Sequence, residues 1–249
     1  MIRPGFLLLH GAWAGAWVWD RVAPQLRAAG YIVVAPDLPG RNPTAESMVG
    51  VDDMVAHAIA SLPRSVGPWI VVGHSGGGIV ATMVAEVLAR QAPAGIAGLV
   101  CLAGMMLPSG MGFPEACTLA GVPPPQGIEP FLRPTPDGRA TWVPPEAAVE
   151  IFFQCTDAAD AKAASEMLCP QLDTSWMITP RWTAAGAGAV PRLYIEALQD
   201  RSVPIVVQRT MQRLVPGARI ASLDTDHAPQ LSCPNDLVRL LIDFARAGQ

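Results

Sequence analysis

The segment Gly73-His74-Ser75-Gly76-Gly77 places a serine hydroxyl where covalent chemistry could start. It follows the apolar run 69–72 and opens a run at helical spacing, 77–90, so Ser75 falls at a sharp strand-to-helix turn. Glycines flank it because residues without Cβ let strand and helix pass close enough to hold a strained serine. The helix start also turns unpaired N–H groups towards any negative charge that forms there. A serine hydroxyl is a weak nucleophile near neutral pH. It needs a base within hydrogen-bond reach, and the base needs an acid that fixes its tautomer. Folds built around such a turn carry these groups in the order serine, acid, histidine. His227 is the one histidine after Ser75, just past the run 219–223. For the acid, Asp200 follows the run 193–197 and precedes Val203-Pro204. Asp224 and Asp226 compete, but they stand so near His227 that their side chains would have to fold back. The run 98–102 is followed by Ala103-Gly104 and offers no carboxylate. The chemistry in view is acyl transfer, which also needs two donors for an oxyanion. The backbone N–H of Gly76 supplies one, and that of Ala12, in His10-Gly11-Ala12-Trp13, supplies the other. His10 and His74 are expected to shape the pocket and His57 to face solvent.

These residues must be delivered by elements, and six short runs read as strands: 6–9, 31–35, 69–72, 98–102, 193–197 and 219–223. Their continuous hydrophobicity suits a parallel sheet covered on both faces. Helical spacing appears at 17–29, 48–62, 77–90, 203–214 and 234–247, with Pro234 fit for a first helical turn. Strand alternating with helix means an α/β, doubly wound, mostly parallel sheet with helices on both faces. The alternation fails between 105 and 189, where proline-rich stretches surround one clear helical run, 157–168. Trp142, Phe152, Phe153, Trp176, Met177 and Trp182 are too many buried-type residues for a linker, so the segment reads as a cap inserted after a central strand. The core is then 1–104 with 190–249, and the cap 105–189.

Composition narrows the partners. The 249 residues carry a net charge of −4 and are 51% hydrophobic and 15% charged, enough apolar material for one sizeable core. Lys162 is the single lysine and the arginines are scattered, so no stripe exists to neutralise phosphates and nucleic acid is not an expected partner. Residues 1–5 run straight into a strand without a leader, and no apolar run approaches the roughly 18 residues that span a bilayer. A soluble, cytoplasmic protein without a membrane partner is expected. Five widely spaced cysteines without a CxxC pair, and four histidines without ligand spacing, point to neither a disulfide framework nor a metal site.

The chain resembles the α/β-hydrolase superfamily, and within it the plant-type methylesterase and hydroxynitrile lyase subgroup. Besides the elbow, the likeness rests on Leu8-Leu9-His10-Gly11-Ala12-Trp13, Ala35-Pro36-Asp37-Leu38, the cap segment from Phe152 to Asp160, Tyr194-Ile195-Glu196, Asp226-His227 and Ser232-Cys233-Pro234. It implies a serine carboxylesterase that hydrolyses small to medium hydrophobic esters without a cofactor, through Ser75, Asp200 and His227. Lyase members tend to carry Thr where this chain has Gly11, and Lys where it has Ala228, so hydrolysis is favoured over cyanide release. A lyase or an amide or carbamate hydrolase is the alternative on the same fold, and a ligand-binding receptor with a slow triad is a third reading. The substrate pocket is expected to include Gly11, Trp13, His74, Met105, Phe131, Phe153, Trp176 and Met177. The physiological ester stays open, as does the choice between monomer and homodimer.

Overall fold

Strands that are apolar on every residue need cover on both faces, and the sheet is built to provide it. In a computed structural model, residues 3–44, 46–63, 67–91 and 95–248 are described; Met1 and Ile2 lie outside them. Strand β1 (Gly5–Leu9) is followed by helix α1 (Ala23–Ala28), β2 (Val33–Val34), α2 (Val51–Ala60), β3 (Trp69–His74), α3 (Gly77–Gln91) and β4 (Ile96–Leu102). The order of the main sheet is β2-β1-β3-β4-β8-β9, with β8 (Arg192–Ala197) and β9 (Arg219–Leu223) arriving late in the chain. Every described pairing in it is parallel. The fold is a doubly wound α/β sheet, as the alternation of strand and helix predicts.

Alternation along each strand sorts the core into two layers. Leu7, Leu9, Val71 and Leu99 pack under α2, α3 and α7 (Ile205–Leu214), whereas Phe6, Leu8, Ile70, Val72, Val100 and Leu102 pack under α1 and α9 (Pro234–Ala247). Helix α3 lies between the sheet and its neighbours, and its first ten residues are all buried. The expected strand 31–35 shrinks to two residues, and the expected helix 17–29 divides into a 3-10 turn at Ala16–Trp19 and the short α1.

Between β4 and β8 the chain forms α4 (Phe113–Leu119), β5 (Arg133–Pro134), β6 (Ala140–Trp142), α5 (Pro145–Ile151), α6 (Ala158–Glu166) and β7 (Gln171–Leu172). The three strands make a small antiparallel sheet in the order β5-β6-β7. The proline-rich stretches thus hold more structure than the one helix expected there. Pro114 and Pro145 explain why: each sits in a first helical turn, where a missing N–H costs nothing. Asp157 starts α6 by accepting the N–H of Ala159 at 3.0 Å. Val143, Ala147, Ile151, Phe152, Phe153 and Ala161 form an apolar cluster that is continuous with Trp13 and Ala228 of the main body. Trp142 and Met177 were expected inside, but both are exposed. Helix α8 (Pro229–Ser232) precedes α9, and His57 on α2 faces solvent.

Candidate active site

Ser75 sits between β3 and α3 with φ +52°, a left-handed backbone that costs a non-glycine residue roughly 1–2 kcal/mol. The turn is locked from both sides. Its N–H donates to Leu102 O at 3.2 Å, and its carbonyl accepts from the N–H groups of Gly78 and Met105, each at 2.9 Å. A Cβ on Gly73 would lie 2.4 Å from Gly77 O, and one on Gly77 would lie 2.4 Å from His10 O. Those two glycines are therefore required by close approach.

The loop after β1 comes against this turn. A Cβ on Gly11 would stand 2.9 Å from Ser75 Cβ, so a larger residue there would displace the serine. His10 Nε2 accepts the N–H of Leu38 at 2.9 Å, which leaves the proton on Nδ1 to donate to Gly11 O at 2.8 Å. Holding that carbonyl fixes the Gly11–Ala12 peptide plane, and the N–H of Ala12 points the opposite way across it. Ala12 N lies 4.0 Å from the position a Gly76 Cβ would take, so the two residues named from sequence stand side by side at one cleft. Trp13 continues the loop with φ +59°; its N–H donates to Gln171 Oε1 at 2.6 Å and its carbonyl accepts from Cys169 N at 2.9 Å.

His10 was expected to shape the pocket; it is not among the residues that line the cleft around Ser75, and it acts on the loop through the Gly11 carbonyl. Burial, helped by the nearby Arg41 charge and opposed by the Gly11 bond, lowers its pKa from 6.5 to about 4. His10 is neutral in the fold and charges more easily once unfolded. Its contribution is complete above pH 6.5 and disappears as pH falls through about 4, and it is worth about 3 kcal/mol across that window. His10→Asn can keep a donor near Gly11 O but cannot titrate. Urea unfolding measured from pH 6.5 to 4.5 should show a shallower loss of stability in that variant; an identical slope would contradict the assignment.

His227 lies on the loop after β9, with Nδ1 2.7 Å from Asp200 Oδ2, and the Asp200 side chain is fully buried. Asp200 Oδ1 accepts the N–H groups of Ser202 (2.7 Å) and Val203 (2.8 Å), which fixes the carboxylate plane. The His227 ring is flanked by Phe152 at 5.2 Å and by His74 at 4.8 Å between centroids. His74 Nε2 donates to the His227 carbonyl at 2.7 Å, and burial, followed by the neighbouring His227, keeps the His74 pKa well below 6.5. Of the competing carboxylates, Asp224 is exposed and accepts from Gln199. Asp226 is buried with neutral donors: Oδ2 takes Cys155 N at 2.8 Å and Thr156 Oγ1 at 3.3 Å, and Oδ1 takes Ala228 N at 3.1 Å and Ser232 Oγ at 2.9 Å. It ties the segment after α5 to the loop that carries His227.

Ser75 and His227 line one cleft of about 730 Å³, counting its open mouth. Gly11, Ala12, Trp13, His74, Gly76, Met105, Phe153 and Trp176 line it too, and the rings of Trp13 and Trp176 meet at a tilt with centroids 5.0 Å apart. Phe131 and Met177 do not. Phe131 packs onto the α5–α6 cluster instead, and Met177 is 67% exposed because its neighbour Trp176 takes the inward direction. Residue type marked both as apolar but could not give their direction. Phe113, Gln126, Ile128, Glu129, Phe152, Ser202, Ala228 and Gln230 also line the cleft and were not picked out from sequence as pocket residues. Phe152 was the most accessible of these, as the partner of Phe153 in a turn. Among the described residues, no three His, Cys, Asp or Glu side chains gather as a metal-ligand set, and no helix is long and apolar enough to cross a membrane.

The chain belongs to the alpha/beta hydrolase family, whose model matches residues 6–240. Among its relatives, it is 35% identical to a pyrethroid hydrolase of Sphingobium wenxiniae over 251 aligned positions, covering 97% of this chain and 87% of that one. It is 27% identical to Methylesterase 7 of Arabidopsis thaliana, covering 96% and 95%. The crystal structure of a pyrethroid hydrolase from Sphingobium faniae superposes with a TM-score of 0.84 at 32% identity, covering 98% of each chain. The likeness to plant methylesterases read from the sequence is therefore found again by comparison.

Proposed function

We propose that this hydrolase is a serine carboxylesterase in which Ser75 attacks the ester carbonyl, His227 carries the proton and Asp200 orients His227. The observation that carries the reading is the convergence of a strained serine and an Asp-paired histidine on one apolar cleft. Nδ1 of His227 faces a carboxylate and holds a proton, which leaves Nε2 free to accept one from the Ser75 hydroxyl. As the tetrahedral intermediate forms, its oxyanion takes the N–H groups of Ala12 and Gly76, each preset by the backbone and needing no rearrangement. His227 then protonates the leaving alcohol, and water repeats the sequence on the acyl-enzyme. Residues 105–189 act as the cap, roofing the cleft with Phe113, Ile128, Phe152, Phe153 and Trp176.

Hydrophobic esters of small to medium size fit such a lining. The pyrethroid hydrolase and methylesterase relatives support ester hydrolysis as the reaction. Cyanide release needs a cation to receive the leaving anion, and among the described residues that line the cleft none is Lys or Arg, with Ala228 buried beside His227. A serine-reactive fluorophosphonate tests the reading. It should add one equivalent of mass to the protein, located by peptide mapping on Ser75; labelling elsewhere, or an unmodified protein after prolonged exposure, would reject the assignment.

A further inference from the structure

The cleft wall is apolar over most of its extent, which makes its few acceptors informative. Gln126 is 8% exposed, and its Nε2 lies 3.7 Å from Cys117 Sγ. Its Oε1 is buried and accepts a hydrogen bond from no described residue. Burial pushes the Cys117 thiol up to about 12, so that contact is with a neutral, weak partner. Three residues on, the half-buried Glu129 also lines the cleft, with Oε2 accepting the Gln126 N–H at 3.1 Å. Among the described residues, no cation lies within ion-pair reach of Glu129. Gln230 adds a second buried amide oxygen without a described partner, beside His74. A buried acceptor that lacks a donor destabilises the fold, so such groups persist where something else supplies the donor. In an acyl-transfer cleft that supplier is the substrate.

We propose that the ester taken by this site bears a hydroxyl or amide N–H that donates to Gln126 Oε1, and that Glu129 turns away esters with a carboxylate in the same part of the molecule. The inference rests on the carboxylesterase reading and names the substrate class within it. A purely hydrocarbon ester would leave Gln126 unpaired and bind less well, whereas a hydroxylated one restores the bond. An anionic ester would meet the Glu129 charge at the cleft wall, where like charges repel.

The test uses two sets of esters, p-nitrophenyl 3-arylpropionates and arylmethyl acetates, each with a bare phenyl ring and with ortho, meta or para hydroxy, methoxy or carboxy substituents. In at least one set, one hydroxyphenyl isomer should exceed its methoxy counterpart in kcat/KM by about tenfold. Gln126→Leu, or Gln126→Met if the first melts early, should bring that ratio close to one. Glu129→Gln should raise the carboxyphenyl ester relative to the phenyl ester by about tenfold. Equal rates for hydroxy and methoxy esters throughout, or a preference that survives both Gln126 variants, would overturn the inference while the bare phenyl esters still report an active esterase. Failure of wild-type protein to hydrolyse any of them would bring down the esterase reading, and this inference with it.

Discussion

Ser75→Ala should lower kcat/KM for p-nitrophenyl butyrate by about a million-fold, the scale seen when another serine hydrolase loses its nucleophile. Alanine keeps the Cβ, so the φ of +52° and the cleft persist while the attacking oxygen disappears. Background hydrolysis through the Ala12 and Gly76 donors should remain, since polarising the carbonyl does not require the serine. Ser75→Gly separates chemistry from strain. It should be equally inactive yet about 1 kcal/mol more stable, because glycine accepts the left-handed backbone without penalty. A urea melt beside the kinetic assay reads both effects. Activity in Ser75→Ala within tenfold of wild type would remove the serine from the mechanism.

Asp200→Asn should cost about ten thousand-fold in kcat/KM at neutral pH, and the reason lies in which oxygen is already engaged. Oδ1 accepts from Ser202 N and Val203 N, so an asparagine is bound to place its oxygen there. Its Nδ2 group then faces His227 Nδ1 and donates to it. The imidazole must carry its proton on Nε2, and in that tautomer it cannot receive one from Ser75. Asp224, exposed and bonded to Gln199, is the control, and Asp224→Asn should leave kcat/KM within about twofold. Loss of comparable size in both variants would show that general charge around the loop, rather than the Asp200 pair, sets the rate.

The main body was legible because its signals are local and repetitive. Runs such as 6–9 and 69–72 are uniformly apolar, and both became strands. The elbow was legible because glycine at Gly73 and Gly77 answers a steric demand that no other residue meets. Residues 105–189 were harder to read, because β5 and β7 are two residues long and leave no periodicity. Helices α4 and α5 there carry, in their first turns, prolines that look in sequence like breakers. Pocket membership was hardest of all. Trp176 and Met177 are adjacent and both apolar, yet only the backbone turn at Asp173–Ser175 decides that one faces Trp13 and the other solvent. Gln126 and Glu129 carry no sequence mark of a wall position, since polar residues in a proline-rich stretch ordinarily face water.

The carboxylate of Asp226, on the same loop as His227, holds Cys155 and Thr156 after α5, and Trp13 is bound through both backbone groups to Cys169 and Gln171. Roof and machinery therefore share their fastenings at two points. Chimeras that graft a foreign roof to acquire new substrates must import matching donors at 155–156 and matching partners at 169–171; swaps made at neater-looking boundaries should yield folded proteins whose loops have lost their alignment.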